Sequence, residues 1–240
     1  MPRLVTLRLF FSCTLLACQS PQAENPPDAA QVATPDPEDP TRWESDIAAF
    51  EAQDAEMQPP EDALLFIGSS SIRLWKTLKE DMAPMPVIQR GFGGSKLGDA
   101  IYYIDRIVAP YNPKAIVIFS GTNDIAGDNP KSAEAVLKLY KTFVDEVHTR
   151  MPDTPIYFIA ISPTRARWEH LQIVYDTNAL VERYSNEQDH LHYIDTASAL
   201  IDEQGESRED LFIDDKLHLN PEGYKVWTSI IRPALAGLYP

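Results

Sequence analysis

Residues 115–124 read Ala-Ile-Val-Ile-Phe-Ser-Gly-Thr-Asn-Asp. Five successive apolar side chains leave no polar face, as in a strand buried on both sides of a sheet. The segment then passes at once into a polar turn, Gly121-Thr122-Asn123-Asp124. The same form recurs along the chain. Residues 63–68 (ALLFIG) and 156–160 (IYFIA) are short apolar runs, 86–89 (PVIQ) reads as a weaker strand, and 191–194 (LHYI) as a fifth. Between them the period becomes helical over 69–79, 97–108, 132–150 and 167–184, the third carrying Val136, Leu139, Tyr140, Phe143 and Val147. Asn220 followed by Pro221 opens a last helix, since Asn caps and proline suits the first helical turn. Strands alternating with helices predict an α/β fold, a three-layer α/β/α sandwich around a mostly parallel five-stranded sheet.

In such sheets ligands gather at the carboxyl ends of the strands, so the polar residues there should make a chemical set. They are Gly68-Ser69-Ser70-Ser71, then Gly91-Phe92-Gly93-Gly94-Ser95, then Gly121-Thr122-Asn123-Asp124. Near the C-terminus stands Asp214-Asp215-Lys216-Leu217-His218-Leu219-Asn220. Serine is a poor nucleophile until a base takes its proton, and histidine titrates close to neutrality. A carboxylate three or four residues before His218 is near enough to orient its ring. Glycine N–H groups and the Asn123 amide suit the oxyanion of a tetrahedral intermediate. Singly, each feature has a structural reading. The serines could cap a helix, the glycine turns could hold phosphate, and Asn123-Asp124 could be an Asx turn. Their joint placement at successive strand ends favours acyl transfer.

Four blocks, FIGSSSI, GFGGS, GTNDI and DKLH, stand in this order within residues 63–240. In type and order they resemble those of the SGNH hydrolases, a branch of the GDSL esterase and lipase superfamily. The Gly-x-Ser-x-Gly elbow of α/β-hydrolases is absent around Ser70. The resemblance implies a flavodoxin-like fold and a serine esterase working through an acyl-enzyme, with neither metal nor organic cofactor. It makes Ser70 the nucleophile, His218 the base and Asp215 the residue that orients it. Asn123 and the backbone N–H groups of Gly94 and Ser70 become the oxyanion donors. Ser69 stands where the family usually carries Asp, and Asp214 competes with Asp215 on distance. The substrate classes implied include acetylated sugars, lysophospholipids, thioesters and small aryl esters. The absence of a long lid segment favours short acyl chains. The alternatives are a non-catalytic envelope lipoprotein binding acylated glycan in the same cleft, and a nucleotide binder, which would leave His218 and Asp215 without a task.

The first sixty residues read differently. Arg3 and Arg8 precede a short apolar run ending Leu15-Leu16-Ala17-Cys18, the layout of a secretory signal. Its end resembles a bacterial lipobox. Residues 1–18 are therefore expected to be a signal peptide, with Cys18 lipidated and the protein anchored in the bacterial cell envelope, at the outer membrane. Residues 19–40, rich in proline and acid, read as a solvated spacer. The hydrolase domain is expected over 41–240. Its first helix, 41–57, is capped by Thr41 with Glu44 reaching back, and Trp43, Ile47 and Phe50 face the core.

The formal charge is −15 in 240 residues, which argues against a nucleic-acid partner. Twelve acids against Arg42 alone within residues 19–62 put most of that excess on the spacer and first helix. Cys13 and Cys18 are the only cysteines, so no zinc cluster or disulfide framework can form downstream. His190 and His192, two apart on a strand, are expected at a surface or edge rather than on a metal. Arg165, Arg167 and Trp168 follow the fourth strand and are expected to form a solvated loop and a helix anchor rather than line the cleft. The polar stretch 201–212 is a candidate border of the site.

Overall fold

A computed structural model describes residues 38–127 and 129–240. The expected signal segment 1–18, Cys18 with it, and most of the expected spacer lie outside the described residues. By its contacts the chain separates into Met1–Asp36 and Pro37–Pro240, and the account below concerns the second unit.

Five strands form one parallel sheet: β1 (Leu64–Gly68), β2 (Val87–Gly91), β3 (Ala115–Phe119), β4 (Ile156–Ile159) and β5 (Leu191–Ile194). Their order is β2-β1-β3-β4-β5, the flavodoxin-like arrangement. Among the described residues eight α-helices accompany them: α1 (Glu44–Glu56), α2 (Ser70–Leu74), α3 (Leu78–Met82), α4 (Leu97–Tyr102), α5 (Ile104–Ile107), α6 (Ala133–Arg150), α7 (Leu171–Asn186) and α8 (Pro221–Ala236). Successive strand side chains point to opposite faces, so each apolar strand feeds two cores. Leu65, Ile67, Ile116, Ile118 and Phe158 pack with side chains of α1 and α4 to α7. Leu64, Phe66, Val117, Phe119 and Ile159 pack with those of α2, α3 and α8. The three-layer α/β/α reading is what the structure has. No described helix is long and apolar enough to cross a membrane.

Three helical expectations are corrected. The first helix does not start on Thr41. Asp39 caps a 3-10 turn over Pro40–Trp43, its carboxylate accepting from the Thr41 N–H at 2.9 Å and the Thr41 hydroxyl at 2.7 Å. A carboxylate before proline suits a helix start better than Thr41, because proline's fixed φ begins the turn. Glu44 does not reach back; it meets Arg106 at 2.8 Å and the Tyr103 hydroxyl at 3.4 Å. Pro40, expected in the spacer, already belongs to the fold, since its carbonyl accepts from the Tyr103 hydroxyl at 3.0 Å. The helix expected over 69–79 divides into α2 and α3. Trp75 leaves helical geometry (φ −74°, ψ 81°), its indole N–H donating to Asp81 at 2.6 Å and its ring resting among Phe66, Tyr224 and Trp227. Burying the largest side chain outweighs about one turn of helix. Likewise 97–108 divides into α4 and α5 at Tyr103, whose hydroxyl holds Pro40.

Candidate active site

Ser70 is set by the end of β1. Gly68 has φ +134°, and a Cβ there would lie 2.0 Å from the Phe119 carbonyl oxygen, so only glycine lets β1 turn so close to β3. The chain then enters α2, with Ser69 at the cap and Ser70 first in the helix. The Ser70 Oγ lies 2.8 Å from Nε2 of His218. Its neighbours go elsewhere: Ser69 is fully buried, and Ser71 is buried with its carbonyl accepting from the Tyr224 hydroxyl at 2.8 Å.

His218 is held by its own segment. Phe212 and Leu219 form an antiparallel bridge, and between them Lys216 adopts φ +54°. Asp215 Oδ1 accepts from the backbone N–H groups of Leu217 and His218, each at 2.9 Å, while Oδ2 meets His218 Nδ1 at 2.6 Å. The ring therefore faces Asp215 rather than Asp214. Burial alone would raise the Asp215 carboxyl, but the hydrogen bonds from the His218 ring and from the His218 and Leu217 N–H groups outweigh it and hold the carboxyl below its ordinary range. With Nδ1–H given to that carboxylate, Nε2 is left to accept the Ser70 hydroxyl proton. Asn220 fixes the base of the segment. Its amide donates to the carbonyls of Asp210 (2.7 Å) and Phe212 (3.2 Å), and its oxygen caps α8 through Glu222 and Gly223.

The expected oxyanion donors border the same cleft. Asn123 Nδ2 gives one hydrogen to the Ser95 carbonyl at 2.9 Å; an amide has a second. Gly94, with φ +82°, lines the same 430 Å³ cleft as Ser70, Asn123 and His218. Among the described residues no acceptor sits on the backbone N–H of Gly94 or Ser70. Asp124 ties this turn to the glycine loop by accepting from the Leu97 N–H at 3.0 Å. Burial pushes its carboxyl up to about 6 despite that bond and despite Lys131 Nζ at 3.9 Å.

Sequence reasoning misplaced one residue. Arg167 is a part of the site rather than of a solvated loop. It donates from Nη1 to the carbonyl and hydroxyl of Thr122, both at 2.7 Å, and from Nη2 to Asn123 Oδ1 at 2.8 Å. Its place just beyond the carboxyl end of β4 was the available signal. Arg165 does behave as expected, pairing with Glu206 at 3.0 Å and lying over Trp168. Trp43 packs edge-on against Phe92 (5.9 Å) as a core residue should, yet it also borders the cleft beside Gly94. His192 stacks on Tyr157 at 4.3 Å on the edge strand β5, and His190 is exposed just before it. Among the described residues no group of three or more His, Cys, Asp or Glu side chains could hold a metal ion. In the stretch 201–212, Glu206 and Glu209 pair with Arg165, and none of its residues lines the cleft that holds Ser70.

Residues 68–226 match the GDSL-like Lipase/Acylhydrolase family. A search of curated proteins finds no match. Among solved structures, a GDSL-like lipase from Bacteroides thetaiotaomicron VPI-5482 superposes with a TM-score of 0.69 at 17% identity, over 80% of this chain and 97% of that one. A lipase/acylhydrolase from Enterococcus faecalis gives 0.58 at 19%, over 73% and 96%. An acetyl xylan esterase gives 0.59 at 19%, over 72% and 99%. At these identities the likeness is one of fold.

Proposed function

The chain belongs to the GDSL-like lipase/acylhydrolase family, and on that premise we propose that it is a serine esterase removing short acyl groups, acetyl above all, from glycan or other small esters. The observation that carries the reading is the unbroken line Ser70 Oγ–His218 Nε2 (2.8 Å) and His218 Nδ1–Asp215 (2.6 Å).

The chemistry follows from that line. His218 takes the Ser70 proton as Oγ attacks the ester carbonyl, and Asp215 stabilises the imidazolium. The developing oxyanion is received by the free amide N–H of Asn123 and the backbone N–H groups of Gly94 and Ser70. One such donor is worth about 3 kcal/mol. The proton held by His218 passes to the departing alkoxide as the carbonyl re-forms. Water, deprotonated by the same ring, then releases the acid and restores Ser70.

Beside Ser70 lies a recess of about 10 Å³ bordered also by Phe119, Ser162, Thr164 and Leu217. That is room for about one water-sized group. The outer cleft is open, and Trp43 at its wall offers a face for a sugar ring. The acetyl xylan esterase among the structural neighbours accords with this reading. A fluorophosphonate probe is the test: labelling at Ser70, lost in Ser70→Ala, supports it, and no labelling of folded protein sinks it.

We also propose, from Leu15-Leu16-Ala17-Cys18, that the enzyme is exported and lipid-anchored in the bacterial cell envelope through Cys18. Mass spectrometry of the mature N-terminus would find a diacylglyceryl cysteine; an unmodified Cys18 would overturn it.

A further inference from the structure

Beside the nucleophile stands Arg73, a cation whose guanidinium has no ion-pair or hydrogen-bond partner among the described residues. It lies three residues after Ser70 on α2, on the same helix face. Its guanidinium rests on Gly93, where a built Cβ would come within 2.7 Å of Nε. Arg73 borders both the 430 Å³ cleft that holds Ser70 and a 590 Å³ cavity running along β2 beside Phe50, Met57 and Pro60.

Elsewhere among the described residues six arginines are neutralised; Arg183 and Arg232 make no ion pair, Arg232 donating instead to the Ala83 carbonyl at 2.6 Å. Arg42, Arg90, Arg106, Arg150, Arg165 and Arg208 each stand against a carboxylate. The two that border the cleft do not. Arg167 is occupied by Thr122 and Asn123. Among the described residues the Arg73 guanidinium makes no ion pair and donates no hydrogen bond. Asp46 borders the same cleft, and Asp54, Glu56 and Lys79 border the cavity, with Asp54 already engaged by Arg90 and the Tyr111 hydroxyl. An unneutralised guanidinium facing an open cleft, in a chain of net charge −15, is poised for a ligand's anion rather than for the fold.

We propose that Arg73 forms an anion subsite for the alcohol part of the substrate, and that this part is a uronate, a sugar carrying a carboxylate near the acylated hydroxyl. The planar fork of one guanidinium matches one carboxylate in charge and geometry. A phosphate dianion would call for further donors. The recess beside Ser70 takes only a small acyl group, which leaves the outer cleft and the cavity beyond Arg73 for the alcohol side. The inference rests on the esterase reading, since it names the substrate class of that site.

Binding to the full chain tests it without turnover. Calorimetry at low salt would compare digalacturonate, xylobiose and glycerol 3-phosphate. Digalacturonate should bind at least about tenfold more tightly than xylobiose, a charge-assisted contact of this kind. Arg73→Gln should reduce that ratio to about threefold or less, with Arg73→Lys between, each variant checked for an unchanged thermal melt. Equal affinity for the two sugars, no binding of either, or a preference that survives Arg73→Gln would overturn the proposal. Tighter binding of glycerol 3-phosphate than of digalacturonate would overturn the uronate. Hydrolysis of p-nitrophenyl acetate reports separately on the esterase reading, so either can fail alone.

Discussion

Arg167 donates a hydrogen from Nη2 to the Asn123 side-chain oxygen Oδ1 at 2.8 Å, while Asn123 Nδ2 donates to the Ser95 carbonyl at 2.9 Å. The amide is thereby fixed at both ends, and its nitrogen cannot exchange places with its oxygen. A cation on the oxygen also polarises the amide and strengthens its remaining N–H as a donor. In the proposed mechanism Arg167 is thus a positioning residue for the oxyanion. Arg167→Ala should lower kcat by about 10- to 100-fold, up to the worth of one oxyanion donor, with KM changed less than about threefold. Arg167→Lys should recover only part, because an ammonium lacks the fork that reaches both Thr122 and Asn123. A raised KM at unchanged kcat would instead make Arg167 a ground-state substrate contact.

The three adjacent serines give a second prediction. Only the Ser70 hydroxyl meets His218; Ser69 is buried at the helix cap and Ser71 within the helix. Ser70→Ala should lower kcat by more than about 1000-fold with the fold intact. Ser69→Ala and Ser71→Ala should each stay within about tenfold, since neither hydroxyl touches the ring. Loss of that size in either of them, with Ser70→Ala active, would move the nucleophile. Kinetics on one aryl ester with all three variants decides it.

The strands and the residues at their ends were legible because both follow short-range rules. Strands such as 115–119 announce burial by unbroken apolarity, and the glycines and amide after them stand within a few residues of each strand. What was not legible depends on partners far along the chain. Trp75 breaks a helix because its ring is wanted by Tyr224 and Trp227. Arg167 enters the site because Asn123, more than forty residues earlier, offers it a side-chain oxygen. Asp39 displaced Thr41 as the cap for a local reason, the following proline, which a reading of the pair Asp39-Pro40 could have found.

Asp124 should make stability depend on pH. Burial raises its carboxyl from 3.8 to about 6 in the fold. The groups facing it are the Leu97 N–H, Lys131, Lys96 and Asp99. A folded pKa above the unfolded one means that the fold favours the protonated form. The contribution is fully present below about pH 4 and is lost as pH rises through about 6. The shift corresponds to roughly 2–3 kcal/mol. Asp124→Asn retains an acceptor for Leu97 and removes the buried charge. It should be more stable than the parent by roughly 1–2 kcal/mol at pH 8 and no more stable at pH 4, as read by denaturant unfolding. A gain equal at both values would exclude Asp124 titration as the cause.

Gly94 carries a backbone requirement. At φ +82° it holds a conformation unfavourable to other residues, and a Cβ there would touch the Trp43 ring at 3.4 Å. Gly94→Ala should cost roughly 1–2 kcal/mol of stability and turn its N–H away from Ser70, lowering kcat about tenfold. Adding Trp43→Leu relieves the contact but not the dihedral, so the double variant should recover little activity. Full recovery would assign the defect to crowding by Trp43.

Acyl-chain length separates a small recess from an open groove. A pocket that buries a growing chain gains about 0.8 kcal/mol per methylene, so kcat/KM would climb steadily from acetate to octanoate. The recess beside Ser70 measures about 10 Å³, room for about one water-sized group, and Ser162 and Thr164 in its wall carry buried hydroxyls that no described partner satisfies. Added methylenes would meet that polar wall or turn back toward the solvent. The p-nitrophenyl series should therefore peak at acetate, fall about tenfold or more by butyrate and be negligible at palmitate. A rise toward octanoate would show that the acyl chain lies in the outer cleft instead, with the alcohol in the recess, and would reverse the orientation proposed for the substrate.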